Sequence, residues 1–170
     1  MSVGDIRLAV ENAYGVKMRE DWTAKYYALL IDTLGKRARP SKGIEGVIEH
    51  LEHVQMPICV ASQGPIAKIE ASLRSAGLWE HFIGRAYSAR AVARPKPAPD
   101  LFLHAARTNN VEAGRCAVIE DSATGVHAGV AAGMTVFAYC VDEEKVASMQ
   151  AVGAIPFRTM DELPGLIGAA

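Results

Sequence analysis

The stretch AVIEDSATGVHAGVAAG, Ala117 to Gly133, decides the fold. A short apolar run stops at two adjacent acids, Glu120 and Asp121. Ser122, a residue type that caps helices, follows at once and opens a segment built almost wholly of small residues. This pattern predicts a buried strand that delivers two carboxylates to its C-terminal end, where open α/β sheets place their ligands. Adjacent side chains on a strand point to opposite faces, so the two acids converge only where the strand is already turning into a loop. A plain loop with solvated or helix-capping acids would carry the same letters. The rest of the chain favours a site.

Outward from that stretch the chain alternates. Towards the N-terminus, Ile44, Val47, Ile48 and Leu51 recur at helical spacing, and Ile58–Ala61 reads as a strand. Pro65 suits a first helical position, and Ile66, Ile69, Leu73 and Ala76 form a core-facing stripe closed by Gly77. A weaker strand is expected near Ile83–Ser88, a helix over Pro99–Thr108, and the strand Cys116–Ile119 after it. Beyond the small-residue helix come a strand at Met134–Tyr139, a short one at Ala154–Phe157 and a closing helix at Asp161–Ile167. Such alternation predicts an α/β, Rossmann-like parallel sheet covered on both faces. The opening differs. Ile6, Val10, Ala13 and Tyr14 mark one helix ended by Gly15, and Trp22, Tyr26, Leu29, Leu30 and Leu34 mark another running to Gly35. With no strand between them, residues 1–39 read as a helical appendage on a core of residues 40–170, hinged at Lys36–Pro40.

Composition narrows the function classes. At 170 residues, half hydrophobic and with 22% charged residues, the chain has room for one core and an ordinary globular balance. A net charge of −1 without a long basic run argues against a nucleic-acid partner. Cys59, Cys116 and Cys140 are odd in number, far apart and set in apolar runs, so buried free thiols in a reducing, cytoplasmic setting are expected. The charge-free run from Ser122 to Val141 repeats glycine at positions 125, 129 and 133, a spacing also used by packed transmembrane helices. Its Ala and Val side chains, its interspersed polar residues and the change to strand formers after Gly133 argue against a membrane span.

Three pieces at strand ends or in the loops beyond them could carry chemistry. Ser62 opens Ser-Gln-Gly-Pro at a helix entrance, where a hydroxyl and free N–H groups suit a phosphate oxygen; a simple helix cap reads the same way. Lys96 sits among Pro95, Pro97 and Pro99, either a lysine held to pair with a dianion or an exposed lysine in an extended linker. Glu120 and Asp121 suit a hard cation such as Mg²⁺, which takes one or two carboxylates plus water and phosphate. The histidines show no ligand spacing and read as structural or surface residues. Trp22, Tyr26 and Tyr27 read either as the core of the appendage or as the lining of a substrate pocket.

Together Val60–Pro65, Lys96–Asp100 and Val118–Ser122 with Gly125–Met134 resemble the haloacid dehalogenase superfamily of phosphohydrolases. The branch resembled is the one with a small helical cap, containing β-phosphoglucomutase and sugar-phosphate phosphatases, and the likeness runs from about Ser2 onward. The resemblance implies that Ser62 and Lys96 bind the transferring phosphoryl group, that Glu120 and Asp121 hold Mg²⁺, and that the substrate is a small phosphorylated metabolite such as a sugar phosphate. It also implies that residues 1–39 are part of a cap. The family's first motif, Asp-x-Asp-Gly-Thr/Val, supplies the nucleophile and the acid/base on a central strand, and no Asp-x-Asp occurs in this chain. Gln63 stands where Asn or Ser is more usual. By the resemblance, the gap lies between the strands ending at Ser62 and Asp121. Losing about five buried strand residues at ~1.5–3 kcal/mol each forfeits on the order of 10 kcal/mol, comparable to a domain's stability. The expectation is therefore a phosphohydrolase missing its first strand and inactive by itself, self-associating through unpaired strands. The alternatives are a phosphate- or metal-binding module without catalysis and a non-functional fragment.

Overall fold

The computed structural model describes residues 3–168; Met1, Ser2, Ala169 and Ala170, which the bounds 1–39 and 40–170 include, lie outside the described residues, as does the start of the family likeness at Ser2. In chain order the helices are α1 (Val3–Tyr14), α2 (Trp22–Arg37), α3 (Ile44–His53), α4 (Ile66–Ser75), α5 (Asp100–Thr108), α6 (Ala123–Ala131), α7 (Glu143–Ala151) and α8 (Leu163–Gly168). The strands are β1 (Val60–Ser62), β2 (Ala86–Ser88), β3 (Ala117–Glu120), β4 (Thr135–Tyr139) and β5 (Ile155–Phe157). Every strand pair is parallel, as helical crossovers require.

The strands form two sheets, β1-β2 and β3-β4-β5. In the first, Val60, Ala61 and Ser62 pair with Ala86, Tyr87 and Ser88. In the second, Ala117–Glu120 pair with Thr135–Ala138, and Phe137–Tyr139 with Ile155–Phe157. Between β1 and β3 runs a cleft of ≈ 360 Å³, walled by Ile58–Ala61 on one side and Cys116–Glu120 on the other. Phe102, Ala105 and Ala106 of α5 also line it. Each wall is a strand whose facing edge has no ladder partner among the described residues.

The core sits around β4. Phe137, Ala138 and Val136 are at most 2% exposed, since β4 is flanked by β3 on one side and β5 on the other. On one face of the sheet Phe137 packs with Val47, Leu51, Phe157, Met160 and Leu163. On the other, Val136 and Val118 meet Val126, Ala128 and Phe102. Small residues let α6 approach closely: a Cβ at Gly129 would stand 2.7 Å from Val136 Cγ2. Among the described residues no helix is long and apolar enough to cross a membrane.

Several boundaries differ from expectation. The first strand begins at Val60 instead of Ile58, because its ladder with β2 begins at the Val60–Ala86 pair. Gly35 does not end α2, which continues through Lys36 to Arg37 and packs along α4, with the Gly35 position 3.8 Å from Ala71 Cβ. Tertiary contact there outweighs glycine's poor helix propensity. Ile66, expected on the core stripe, is exposed. The closing helix splits into a 3-10 turn at Met160–Glu162 and α8. Helix α7 lies outside the sequence pattern: Val146 and Met149 give it too thin an apolar face, although Asp142 caps it and Glu143 and Glu144 suit its first turn. Of the cysteines only Cys140 is buried; Cys116 is half-buried and Cys59 exposed, because both border the open cleft. Desolvation still raises the Cys59 and Cys116 thiols above their ordinary value.

Candidate active site

The site lies where β1 and β3 end. Ser62 is the last residue of β1, and its Oγ accepts the Gly64 N–H at 3.3 Å, turning the chain towards α4. Glu120 is the last residue of β3, and Asp121 follows in the turn that Ser122 closes. Ser122 caps α6 as expected, its Oγ accepting the Gly125 N–H at 3.1 Å. It also donates its hydroxyl to Glu120 Oε2 at 2.8 Å, so cap and carboxylate form one unit.

Lys96 joins the two strand ends. Its Nζ donates to the Ala61 carbonyl of β1 at 3.1 Å and pairs with the Glu120 carboxylate of β3. The Phe102 ring lies 4.3 Å from the same ammonium. The lysine side chain is 5% exposed and that of Glu120 12%, which makes this a largely desolvated ion pair. The proline-rich loop therefore holds its lysine inward, against the reading of an exposed linker residue. Gly125 makes room for the acid, since a Cβ there would overlap the Glu120 carboxylate.

Asp121 is exposed and makes no ion pair or hydrogen bond among the described residues. Of the four predicted residues, Lys96 and Glu120 are in direct contact, while Ser62 and Asp121 are the chain neighbours of Lys96's two partners, Ala61 and Glu120. No cluster of three or more Cys, His, Asp or Glu side chains is poised as a metal site among the described residues. The donors present still fit a hard cation: two adjacent carboxylates, one of them unpaired, are what Mg²⁺ takes from a protein when waters and phosphate complete its shell. The histidines stay apart from the site: His50, His53 and His127 are exposed, His81 pairs with Glu52, and His104 stacks edge-on with Tyr87. Trp22 stacks on Tyr26 at 5.3 Å, and Arg90, two residues beyond β2, lies 4.9 Å over Tyr27. Sequence reading missed three participants: the Ala61 carbonyl, Phe102, and Gln63, whose side chain reaches the Lys96 backbone. Only Gln63 carried a signal, as an unusual residue at its position.

The parallel α/β core thus gathers a lysine and two acids at its strand ends, where open α/β sheets place their ligands. The sequence profile of the haloacid dehalogenase-like hydrolase family matches residues 5–139, and the chain belongs to that family. It is 36% identical over 101 residues to 6-phosphogluconate phosphatase of Escherichia coli, covering 59% of this chain and 46% of that protein. With hexitol phosphatase A of Escherichia coli the identity is 33% over 109 residues, covering 63% of this chain and 48% of the relative. The chain thus spans about half the length of these relatives. The crystal structure of a haloacid dehalogenase-like protein of unknown function from Agrobacterium tumefaciens superposes with a TM-score of 0.80 at 28% identity. That match covers 99% of this chain and 78% of the other.

Proposed function

We propose that this chain carries the phosphate- and Mg²⁺-binding half of a phosphate monoester hydrolase for a small phosphorylated sugar or sugar acid, and does not turn over substrate by itself. The observation that carries this reading is the position of Lys96, a nearly buried ammonium set between the last residues of two parallel strands. Such a charge is stable there only when balanced. Glu120 balances it in the structure, and a phosphate dianion beside Ser62 would do so in a complex. Ser62 Oγ and the N–H groups entering α4 would donate to the phosphate oxygens. Asp121 and Glu120 would hold Mg²⁺, which when bound offsets phosphate charge. Positioning and charge neutralisation are most of what a protein contributes to phosphoryl transfer.

Hydrolysis in this family's manner needs a carboxylate nucleophile in line with the phosphorus, and the chain has no Asp-x-Asp. The substrate class rests on the phosphatases named above, and the cap role of residues 1–39 rests on the family resemblance. Isothermal titration of the 170-residue chain with inorganic phosphate and Mg²⁺ tests the reading. Binding that is lost in Lys96→Met and weakened in Ser62→Ala supports it, and no binding by the unaltered chain overturns it. Phosphate monoester turnover that vanishes in Asp121→Ala would overturn the claim of inactivity.

A further inference from the structure

We propose that Gln63 is a positioning residue that fixes the backbone of Lys96, and so aims the ammonium at the phosphate site. The inference rests on the reading of Lys96 as a phosphate ligand. Lys96 lies in a loop whose prolines at 95, 97 and 99 have no N–H, so no strand ladder can hold it. The Ala98 N–H closes a turn on the Pro95 carbonyl and Arg94 pairs with Asp100 further along, but at Lys96 itself the N–H and C=O are the backbone groups that can tie the residue down. Gln63 takes both: the Lys96 N–H donates to Gln63 Oε1 at 3.2 Å, and Gln63 Nε2 donates to the Lys96 carbonyl at 3.1 Å. The carboxamide thus behaves as a one-residue strand laid along the loop. Its own backbone is anchored in turn, because the buried Ser88 hydroxyl donates to the carbonyl of the next residue, Gly64, at 2.7 Å.

The clamp acts on a different part of Lys96 from the contacts at its tip. The ammonium's partners, the Ala61 carbonyl and Glu120, must yield at least partly when a phosphate arrives. The two bonds to the backbone need not change. The lysine stem therefore starts from one place with or without ligand, which reduces the ordering that binding would demand. Reach is decisive. Asn is shorter by one methylene, about 1.5 Å, and from the same backbone would leave both bonds beyond hydrogen-bond range.

The test uses the 170-residue chain and its Gln63→Leu and Gln63→Asn variants, with three readouts: exchange of the Lys96 amide proton, affinity for inorganic phosphate, and affinity for Mg²⁺. Both variants are expected to speed Lys96 amide exchange and to weaken phosphate binding about tenfold, the scale of one net hydrogen bond, with Mg²⁺ affinity unchanged. Unchanged phosphate affinity overturns the proposal, even if exchange quickens. A parallel fall in Mg²⁺ affinity also overturns it, because the loss would then be general loosening. If Gln63→Leu fails to fold, Gln63→Asn alone carries the comparison. Should the unaltered chain bind no phosphate, the function proposed above fails, and unchanged Lys96 exchange in the variants would dispose of the clamp as well.

Discussion

The Lys96–Glu120 pair sets the energetics at the level of single residues. Two charges taken largely out of water are stable together and costly apart. Lys96→Met leaves Glu120 with only the Ser122 bonds, and a loss of about 3 kcal/mol in chemical denaturation is expected. The double variant Lys96→Met/Glu120→Leu should recover much of that loss, and a double-mutant cycle without coupling would show the pair to be incidental. Gly125→Ala makes a second test. Ala favours a helix over Gly by roughly 1 kcal/mol, but here the new methyl meets the Glu120 carboxylate, so net destabilisation of about 1–3 kcal/mol and weaker Mg²⁺ binding are expected. A gain in stability on thermal melting would refute the cradle. The placement of Ser62, Glu120 and Asp121 at strand ends was legible in the local pattern of apolar run, polar residue and helix cap, and that of Lys96 in its proline-rich loop. The two bonds from Gln63 to the Lys96 backbone were not, since the partner is 33 residues further on and only folding brings them together.

Elements were legible where periodicity is strong and blurred where tertiary contacts decide. The small-residue helix α6 and its Ser122 cap follow directly from local chemistry. The start of β1 does not, because a strand's observed length depends on which neighbours it finds, and among the described residues β1 has β2 alone. Helix α5 offers a test at this scale. Asp100 opens it, and the Arg94 guanidinium donates to both its oxygens at 3.2 and 2.9 Å, holding its carboxyl below the usual value. A depressed folded pKa means that this pair contributes stability above the unfolded carboxylate's pKa and loses it as pH falls through the folded value. In Arg94→Ala the Asp100 midpoint, followed by its side-chain carbon shift in NMR, should move up, and stability should depend less on pH in the acid range. An unmoved midpoint would assign the depression to the helix terminus instead.

At the scale of the whole molecule the split between the two sheets governs behaviour. β1 and β3 both run in the same chain sense as their neighbours, and each presents an edge with no partner among the described residues to a cleft of ≈ 360 Å³ lined by apolar side chains from both. Open edges recruit other strands, and a cleft of this size leaves Ile119 and Cys59 exposed where a sheet interior would cover them. The chain is therefore expected to associate in solution or to melt at low temperature. An extended apolar peptide bearing Asp-x-Asp at its C-terminal end, copied from the first strand of a family member, should enter in parallel and place its acids near Lys96. Binding to the folded state alone raises the melting temperature in proportion to the logarithm of peptide concentration. Size-exclusion chromatography and thermal melts, each with and without the peptide, decide between the outcomes. A shift to monomer with a rise in melting temperature, and protection of the β1 and β3 amides from exchange, would establish the cleft as a strand-receiving site. A monodisperse monomer with an ordinary melting temperature that the peptide leaves unchanged would show that these two edges are satisfied as they stand, and that the split sheet is a stable architecture in its own right.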